Sequence, residues 1–316
     1  MAVRPKVVIV GAGFGGLSAT RALRRAPVQV TLVDANNFHL FQPLLYQVAT
    51  AGLDSDDIAY PVRGILRRQR NARFRLGRLS SVDLNRRLVH LDDGGTLPYD
   101  WLVLAIGAVS ASFGVVGVAE HALGLKSLRD ANRLRAHLLQ RVEAADVAAA
   151  GSVATDPADL SVVIVGGGPT GVELAGGIRE LFDKVLARDF PHLELPRARI
   201  TLVEATDRVL GTFAPRLSAK AERALARRGI ELELGTGVER IEHGAVVLAD
   251  GRRLEGGTIV WAAGVRANPI AAGIGLPTGR GGRVHVAADL SLVERPEVFA
   301  VGDVAGSAGQ DGAPLP

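Results

Sequence analysis

The sequence predicts an α/β chain in which one plan occurs twice, each copy a parallel sheet with a β-meander. Three observations predict it. Residues 7–16, VVIVGAGFGG, and 162–171, VVIVGGGPTG, are both apolar, β-branched strands running into G-x-G-x-x-G. Each is followed by a helical stretch and a second strand closed by an acid: Leu17 to Arg25 and then Val28 to Asp34, Val172 to Arg188 and then Ile200 to Glu204. Further along, DDGGTLPYDWLVLAIGA (92–108) is echoed by DGRRLEGGTIVWAAGV (250–265), so Gly11 and Gly107 stand nearly as far apart as Gly166 and Gly264. Agreement over such a span is hard to obtain by chance.

Each element has a local reason. The valine runs are β-branched and apolar throughout, as strands buried on both faces are. In the loops, the first glycine permits a tight strand-to-helix turn, the second lets backbone approach a pyrophosphate, and the third brings helix against strand. A helix N-terminus follows, where unpaired N–H groups and the dipole favour negative charge. Asp34 and Glu204 close their strands, where a carboxylate accepts hydrogen bonds from an adenosine ribose. The 92–108 and 250–265 segments read as hairpins feeding a buried strand that stops at a small-residue turn, Ala105 to Gly107 in the first copy. Residues 145–158, AADVAAAGSVATDP, read as a surface linker between the copies. Two Rossmann-like units imply two dinucleotides, and Glu204 would repel the 2′-phosphate of NADPH, with Arg208 nearby to soften that preference.

Composition excludes several chemistries. The chain has no cysteine, so it holds no disulfide, thiolate zinc, iron–sulfur cluster or redox thiol pair. Its histidines are scattered without metal-ligand spacing, and no metal centre is expected. A net charge of +4 is too small to argue for nucleic acid. No apolar run reaches the roughly 18–20 residues that span a bilayer. The N-terminus reads as a strand and turn rather than a secretory signal, because glycines interrupt it and Arg21, Arg24 and Arg25 follow. A cytoplasmic protein is expected.

Residues 37–50, NFHLFQPLLYQVAT, together with IAYPVRGILR (58–67), FGVVGVAEHALGLKSL (113–128), GGGPTGVELAG (166–176), WAAGVRANP (261–269) and PEVFAVGD (296–303), resemble the pyridine nucleotide-disulfide oxidoreductase superfamily, and within it the type II NADH:quinone oxidoreductases. The resemblance implies a glutathione-reductase-like fold, with FAD on the first unit and NADH on the second. It assigns 1–112 plus 282–316 to a discontinuous FAD-binding domain, 113–158 to a connecting helix and linker, and 159–281 to an inserted NADH-binding domain. FAD would be held by Gly11, Ala12, Gly13, Phe14, Gly15, Gly16, Asp34 and Ala35, by the backbone of Val82 at the adenine, by Ala105 and Gly107 beside the flavin, and by Asp303 at the ribityl chain. NADH would be held by Gly166, Gly168, Thr170, Gly171, Glu204 and Gly264. The resemblance also implies a proton-handling role for Glu173. A helix dipole offers a plainer reason for that glutamate, but a carboxylate close to an anionic pyrophosphate is repelled and asks for another. Pro43, Tyr46 and Gln47 are candidates for a quinone site, although residues 41–50 read equally well as core.

The implied activity is hydride transfer from NADH to FAD, then delivery of two electrons to a quinone. The family continues past the Gly-Asp signal into a quinone-site helix and a terminal domain for dimerisation and membrane attachment. Quinone reduction, a homodimer and peripheral contact with the cytoplasmic face of the inner membrane are therefore expectations for a full-length form. Two other readings stand beside it: an NADH-dependent reductase of a ferredoxin- or rubredoxin-like protein, and a nucleotide-binding fragment without turnover. Disulfide reductases, sulfide:quinone oxidoreductases and cysteine-based peroxidases share the fold but need cysteines. The arginine run Arg63, Arg67, Arg68, Arg70, Arg73, Arg75 and Arg78 reads as a solvated face or as a contact for anionic lipid.

Overall fold

The computed structural model describes residues 4–150 and 157–307. Their contacts separate into two compact units: the chain up to Leu40 with Ala59–Val109 and the segment from Val265 onward, and Phe41–Ile58 with Ser110–Gly264.

The first unit contains β1 (Lys6–Val10), helix α1 (Phe14–Ala22), β2 (Gln29–Asp34), β3 (Ala72–Leu76) and β4 (Trp101–Leu104). Its six-stranded sheet runs in the order Ser291–Leu292, Arg295–Ala300, β4, β1, β2, β3, parallel apart from the Ser291–Leu292 edge. Successive residues of β1 serve opposite faces. Val7 and Ile9 join Leu17, Leu32, Val62 and Phe74. Val8 and Val10 join Val33, Val89, Leu91 and Leu102 under the meander Leu79–Asp83, Leu88–Leu91, Thr96–Pro98. Covering on both sides is why the strand is valine-rich without polar alternation, and each such buried side chain contributes about 1.5–3 kcal/mol.

The second unit repeats this plan. A long helix α2 (Leu128–Ala150) precedes β5 (Val162–Val165), α3 (Pro169–Glu180), β6 (Ile200–Glu204), β7 (Ile230–Leu234) and β8 (Thr258–Trp261). The parallel sheet runs Leu123–Gly124, β8, β5, β6, β7. A second meander, Val238–Glu242, Ala245–Leu248, Arg253–Glu255, covers the face formed by Val163, Val165, Val203, Ile259 and Trp261. Among the described residues no helix is long and apolar enough to cross a membrane.

Three expectations about local structure change. Residues 145–150 are not linker: α2 runs through them, and Ala145 is buried in line with Ala131, Leu134, Leu138 and Val142. Alanine-rich sequence looks featureless but is the strongest helix former, and one apolar stripe suffices to dock it. Of the rest of that proposed linker, 151–156 lie outside the described residues, and Pro157 and Ala158 open a 3-10 turn, Pro157–Leu160. The helix expected from Val172 to Arg188 begins earlier, at Pro169, and after Glu180 widens into a π-helical turn, Leu181–Leu186, with Leu181, Phe182 and Leu186 buried. Finally, residues 41–58 pack with the second unit rather than the first, and 265–281 with the first rather than the second.

Candidate functional site

Each G-x-G-x-x-G loop sits at the carboxyl edge of its sheet, where ligands bind in open parallel sheets. The two are stitched in alike. Gly11 N–H donates to the Val33 carbonyl at 2.7 Å and Gly166 N–H to the Val203 carbonyl at 2.8 Å. Ala105 N–H donates to Val10 and Ala262 N–H to Val165, at 2.7 and 2.8 Å.

The glycines separate into two kinds. Gly11 and Gly166 have φ of +109° and +115°, and a Cβ on either would lie 2.1 Å from the Ala105 oxygen or 2.6 Å from the Ala262 carbonyl. On Gly16 or Gly171 it would lie 1.8 or 1.9 Å from the carbonyl oxygen of Gly11 or Gly166. The fold itself forbids side chains there. Gly13 and Gly168 differ: their φ values are −71° and −70°, and a Cβ would meet nothing within 4 Å. The fold makes no demand for glycine at these two positions, so the demand comes from whatever approaches the backbone. They are the N-caps of α1 and α3, neither helix has a side-chain cap or an acid in its first turn, and the positive end of each helix suits a phosphate.

Behind each loop stands the predicted acid. Asp34 Oδ2 accepts the Ala12 N–H at 2.6 Å and Oδ1 the Asn36 N–H at 2.7 Å. Glu204 Oε2 accepts the Gly167 N–H at 2.7 Å, and Oε1 the N–H and hydroxyl of Thr206 at 2.9 and 3.0 Å. A carboxylate offers about four lone-pair sites, so each keeps capacity for a ribose hydroxyl. In the second unit these groups line a cleft of about 450 Å³ with Pro169, Arg208 and Leu210. Leu210 N–H clamps the Gly167 carbonyl at 2.8 Å, and Arg208 donates to the Gly211 carbonyl at 3.0 Å.

Around the first loop the structure gathers Phe14, exposed, Gly15, which faces Val301, and Ala35, which follows Asp34. Ala105 and Gly107 lie in the turn that follows β4, and Asp303 follows Gly302 after the strand beside it. Val82 pairs with Val89 in the meander with its side chain buried, and the contact the resemblance implies for it is a backbone one. The neighbour of Asp34 is Gly77, whose N–H donates to the Asp34 carbonyl at 2.9 Å. Sequence reasoning also missed His39, whose Nδ1 lies 2.9 Å from the Ala12 carbonyl oxygen and whose ring meets Phe14 edge-on. Its only signal was its place shortly after the strand-closing acid.

Thr170 is exposed at the start of α3, and Gly264, with φ +140°, ends the β8 turn. Glu173 lies beyond the first turn of α3, which weakens the helix-dipole reason for it. Surrounding protein bulk lifts its carboxyl above the ordinary glutamate range. In 41–50, Leu45, Val48 and Ala49 are buried on a short helix against α2 and α3, whereas Pro43 is exposed and Tyr46 and Gln47 are half-buried, with Gln47 Nε2 donating to Tyr46 Oη at 3.0 Å. One face of this segment is core and the other polar surface. In the arginine run, Arg63 stacks over Phe74, Arg73 bonds Thr31 and Arg75 pairs with Asp93.

Comparison with known proteins agrees with this geometry. The family model described as pyridine nucleotide-disulphide oxidoreductase matches residues 5–314. The chain is 42% identical over 317 residues to the type II NADH:quinone oxidoreductase NdhA of Mycobacterium tuberculosis, covering 95% of this chain and 66% of that protein. It is 39% identical to the type II NADH:quinone oxidoreductase Ndh of the same organism, covering 98% of this chain and 69% of the relative. NDH2 of Plasmodium falciparum, solved in complex with NADH, superposes with a TM-score of 0.87 at 21% identity, covering 96% of this chain and 65% of that one. The chain thus spans about two thirds of the length of these relatives. With the duplicated loops, the paired acids and a match along almost its whole length, the chain belongs to the pyridine nucleotide-disulphide oxidoreductase family, on its type II NADH:quinone oxidoreductase branch.

Proposed function

We propose that the chain is the redox core of an NADH:quinone oxidoreductase, with FAD held by the first unit and NADH by the second. The observation that carries this reading is the pair Gly13 and Gly168, glycines the fold does not require, each opening an uncapped helix N-terminus beside an acid that can hold a ribose. Bound together, the two cofactors would supply the hydride donor and its acceptor.

The protein's own contribution is binding, orientation and proton handling. The first-turn N–H groups of α1 and α3 hold the diphosphates. Asp34 and Glu204, fixed by backbone N–H groups, orient the adenosine sugars, and the charge on Glu204 disfavours a 2′-phosphate. Glu173, its carboxyl lifted above the ordinary glutamate range by the surrounding protein, is suited to hold or release a proton at Oε. The polar face of 41–50, with Pro43, Tyr46 and Gln47, is a candidate wall for the quinone. Peripheral membrane attachment and dimerisation belong to this reading.

The test has two parts. Gly13→Ala and Gly168→Ala should keep the melting temperature within about 2 °C while weakening flavin retention and NADH binding respectively by about tenfold or more, measured by flavin content and calorimetric titration. Unchanged binding in both variants would remove the dinucleotide assignment. Flavin reduced anaerobically by NADH should then regain its oxidised spectrum on addition of a quinone; recovery with a ferredoxin alone replaces the acceptor.

A further inference from the structure

Phe113 is an aromatic side chain in a backbone conformation that aromatic residues avoid. Ser112 to Val115 form a turn closed by Val115 N–H to the Ser112 carbonyl at 3.0 Å, and both central residues, Phe113 and Gly114, have positive φ, +51° and +83°. Turns of this kind are dominated by glycine, asparagine and aspartate, and a bulky residue there is strained. Burial does not compensate for it, since Phe113 is 66% exposed.

The turn is nevertheless held firmly in place. Ala111 N–H donates to the Gly264 carbonyl at 3.2 Å, and the buried Trp261 Nε1–H donates to the Ala111 carbonyl at 2.8 Å. Val115 and Val118 pack against the meander-side core of the second unit. The outer edge of the Phe113 ring, Cε2 and Cζ, therefore comes to rest over Gly264, where a Cβ would approach both atoms to 3.1 Å. Gly264 follows β8, the neighbour of β5, and β5 leads into the Gly166 loop. Phe113 thus stands at the same carboxyl edge as the phosphate loop, but on its β8 side, whereas Glu204 and its cleft lie on the β6 side. A dinucleotide with its adenosine at Glu204 and its diphosphate at Gly168 has only the β8 side left for its other half.

We propose that Phe113 is a positioning residue for the nicotinamide half of NADH, its exposed ring forming an apolar aromatic wall against which that planar ring docks. The proposal rests on the reading of the second unit as the NADH site. Strain kept at a position where only the ring's edge packs, over Gly264, fits a residue whose partner arrives with the ligand. The negative face of the phenyl ring also suits the cationic nicotinamide ring of the oxidised product.

Calorimetric titration of the purified chain and of Phe113→Ala, Phe113→Leu and Phe113→Trp, with NADH and with ADP-ribose, tests this. ADP-ribose carries the adenosine and diphosphate but no nicotinamide. NADH should bind the alanine variant about three- to tenfold more weakly and the leucine variant to an intermediate degree, while the tryptophan variant keeps wild-type affinity. ADP-ribose should bind all four within about twofold, and melting temperatures should not fall, because the ring is exposed and the turn is strained with it. Equal NADH affinity in wild type and Phe113→Ala overturns the proposal while leaving the NADH site standing. Parallel weakening of both ligands overturns it in favour of a general effect on the fold. Failure of the wild-type chain to bind either ligand overturns the NADH reading, and the proposal with it.

Discussion

The two phosphate loops reach one hydrogen bond by different residue pairs. In the first, Ala12 N–H meets Asp34 at 2.6 Å; in the second, Gly167 N–H meets Glu204 at 2.7 Å. Glutamate is one methylene longer, so its stem folds over the loop, and a Cβ on Gly167 would stand 2.9 Å from the Glu204 Cβ and 3.0 Å from its Cγ. The first loop has room beside Asp34 for the Ala12 methyl, which is buried. Loop residue and strand-closing acid are thus one steric unit: the identity of one constrains the other, although a full strand–helix–strand passage separates them.

Breaking the elements common to both copies should have the largest effect. In Gly16→Ala or Gly171→Ala the new methyl would overlap a backbone oxygen that has nowhere to move, at a cost of about 3 kcal/mol or more. Thermal unfolding should show the loss, and binding should show its locality: flavin lost from the first variant with NADH binding retained, the reverse in the second. Equal damage to both ligands in either variant would mean that the copies do not act as separate cradles.

Exchange within the steric pair sharpens the contrast. Gly167→Ala should destabilise the second unit by about 1–3 kcal/mol and weaken NADH binding, and Glu204→Ala in the same chain, which removes the Cγ and the carboxylate, should restore part of the stability but not the NADH binding. A double variant no better than the single one would show that the glycine serves the ligand rather than the glutamate.

The smallest effect comes from a position at which the copies differ outright, Glu173 against the matching Ser18 of α1. The folded-state pKa of Glu173 is raised, so folding favours its protonated form. Stability is then lost as pH climbs from the unfolded value, near 4.5, through the raised folded one, and it stays lost above that. Glu173→Gln should therefore melt slightly higher than wild type at pH 8, with the difference disappearing below about pH 4.5. A difference that persists in acid would trace the effect to packing instead of charge.

Much of the site was legible in the sequence because its components are local patterns. Valine runs, glycine spacing and a closing acid each follow from what a strand, a tight turn and a strand end require within a few residues, and repetition raised a common motif to a specific one. The residues that escaped notice act at a distance in sequence. Gly77 meets Asp34 through its backbone N–H, which any residue but proline supplies, and His39 meets the backbone carbonyl of Ala12 from 27 residues away, so no local pattern marks either. The strand's alternation turns the Val82 side chain into the core, and only its backbone is left for the adenine contact that the resemblance implies. Residues 41–58 sit among segments of the first unit in sequence, yet their apolar face packs on α2 and α3 of the second.

The sequence by itself determined that this chain has two dinucleotide folds, where each loop and acid lies, and that cysteine chemistry is absent. Those features rest on short-range sterics, periodicity and composition, which act before the chain is folded. Only the tertiary structure decided which glycines the fold needs and which it leaves to a ligand, why alanine faces aspartate while glycine faces glutamate, and that a strained phenylalanine rests over Gly264. Each of these depends on van der Waals distances between backbones far apart in sequence, which exist only once the sheets have brought them together.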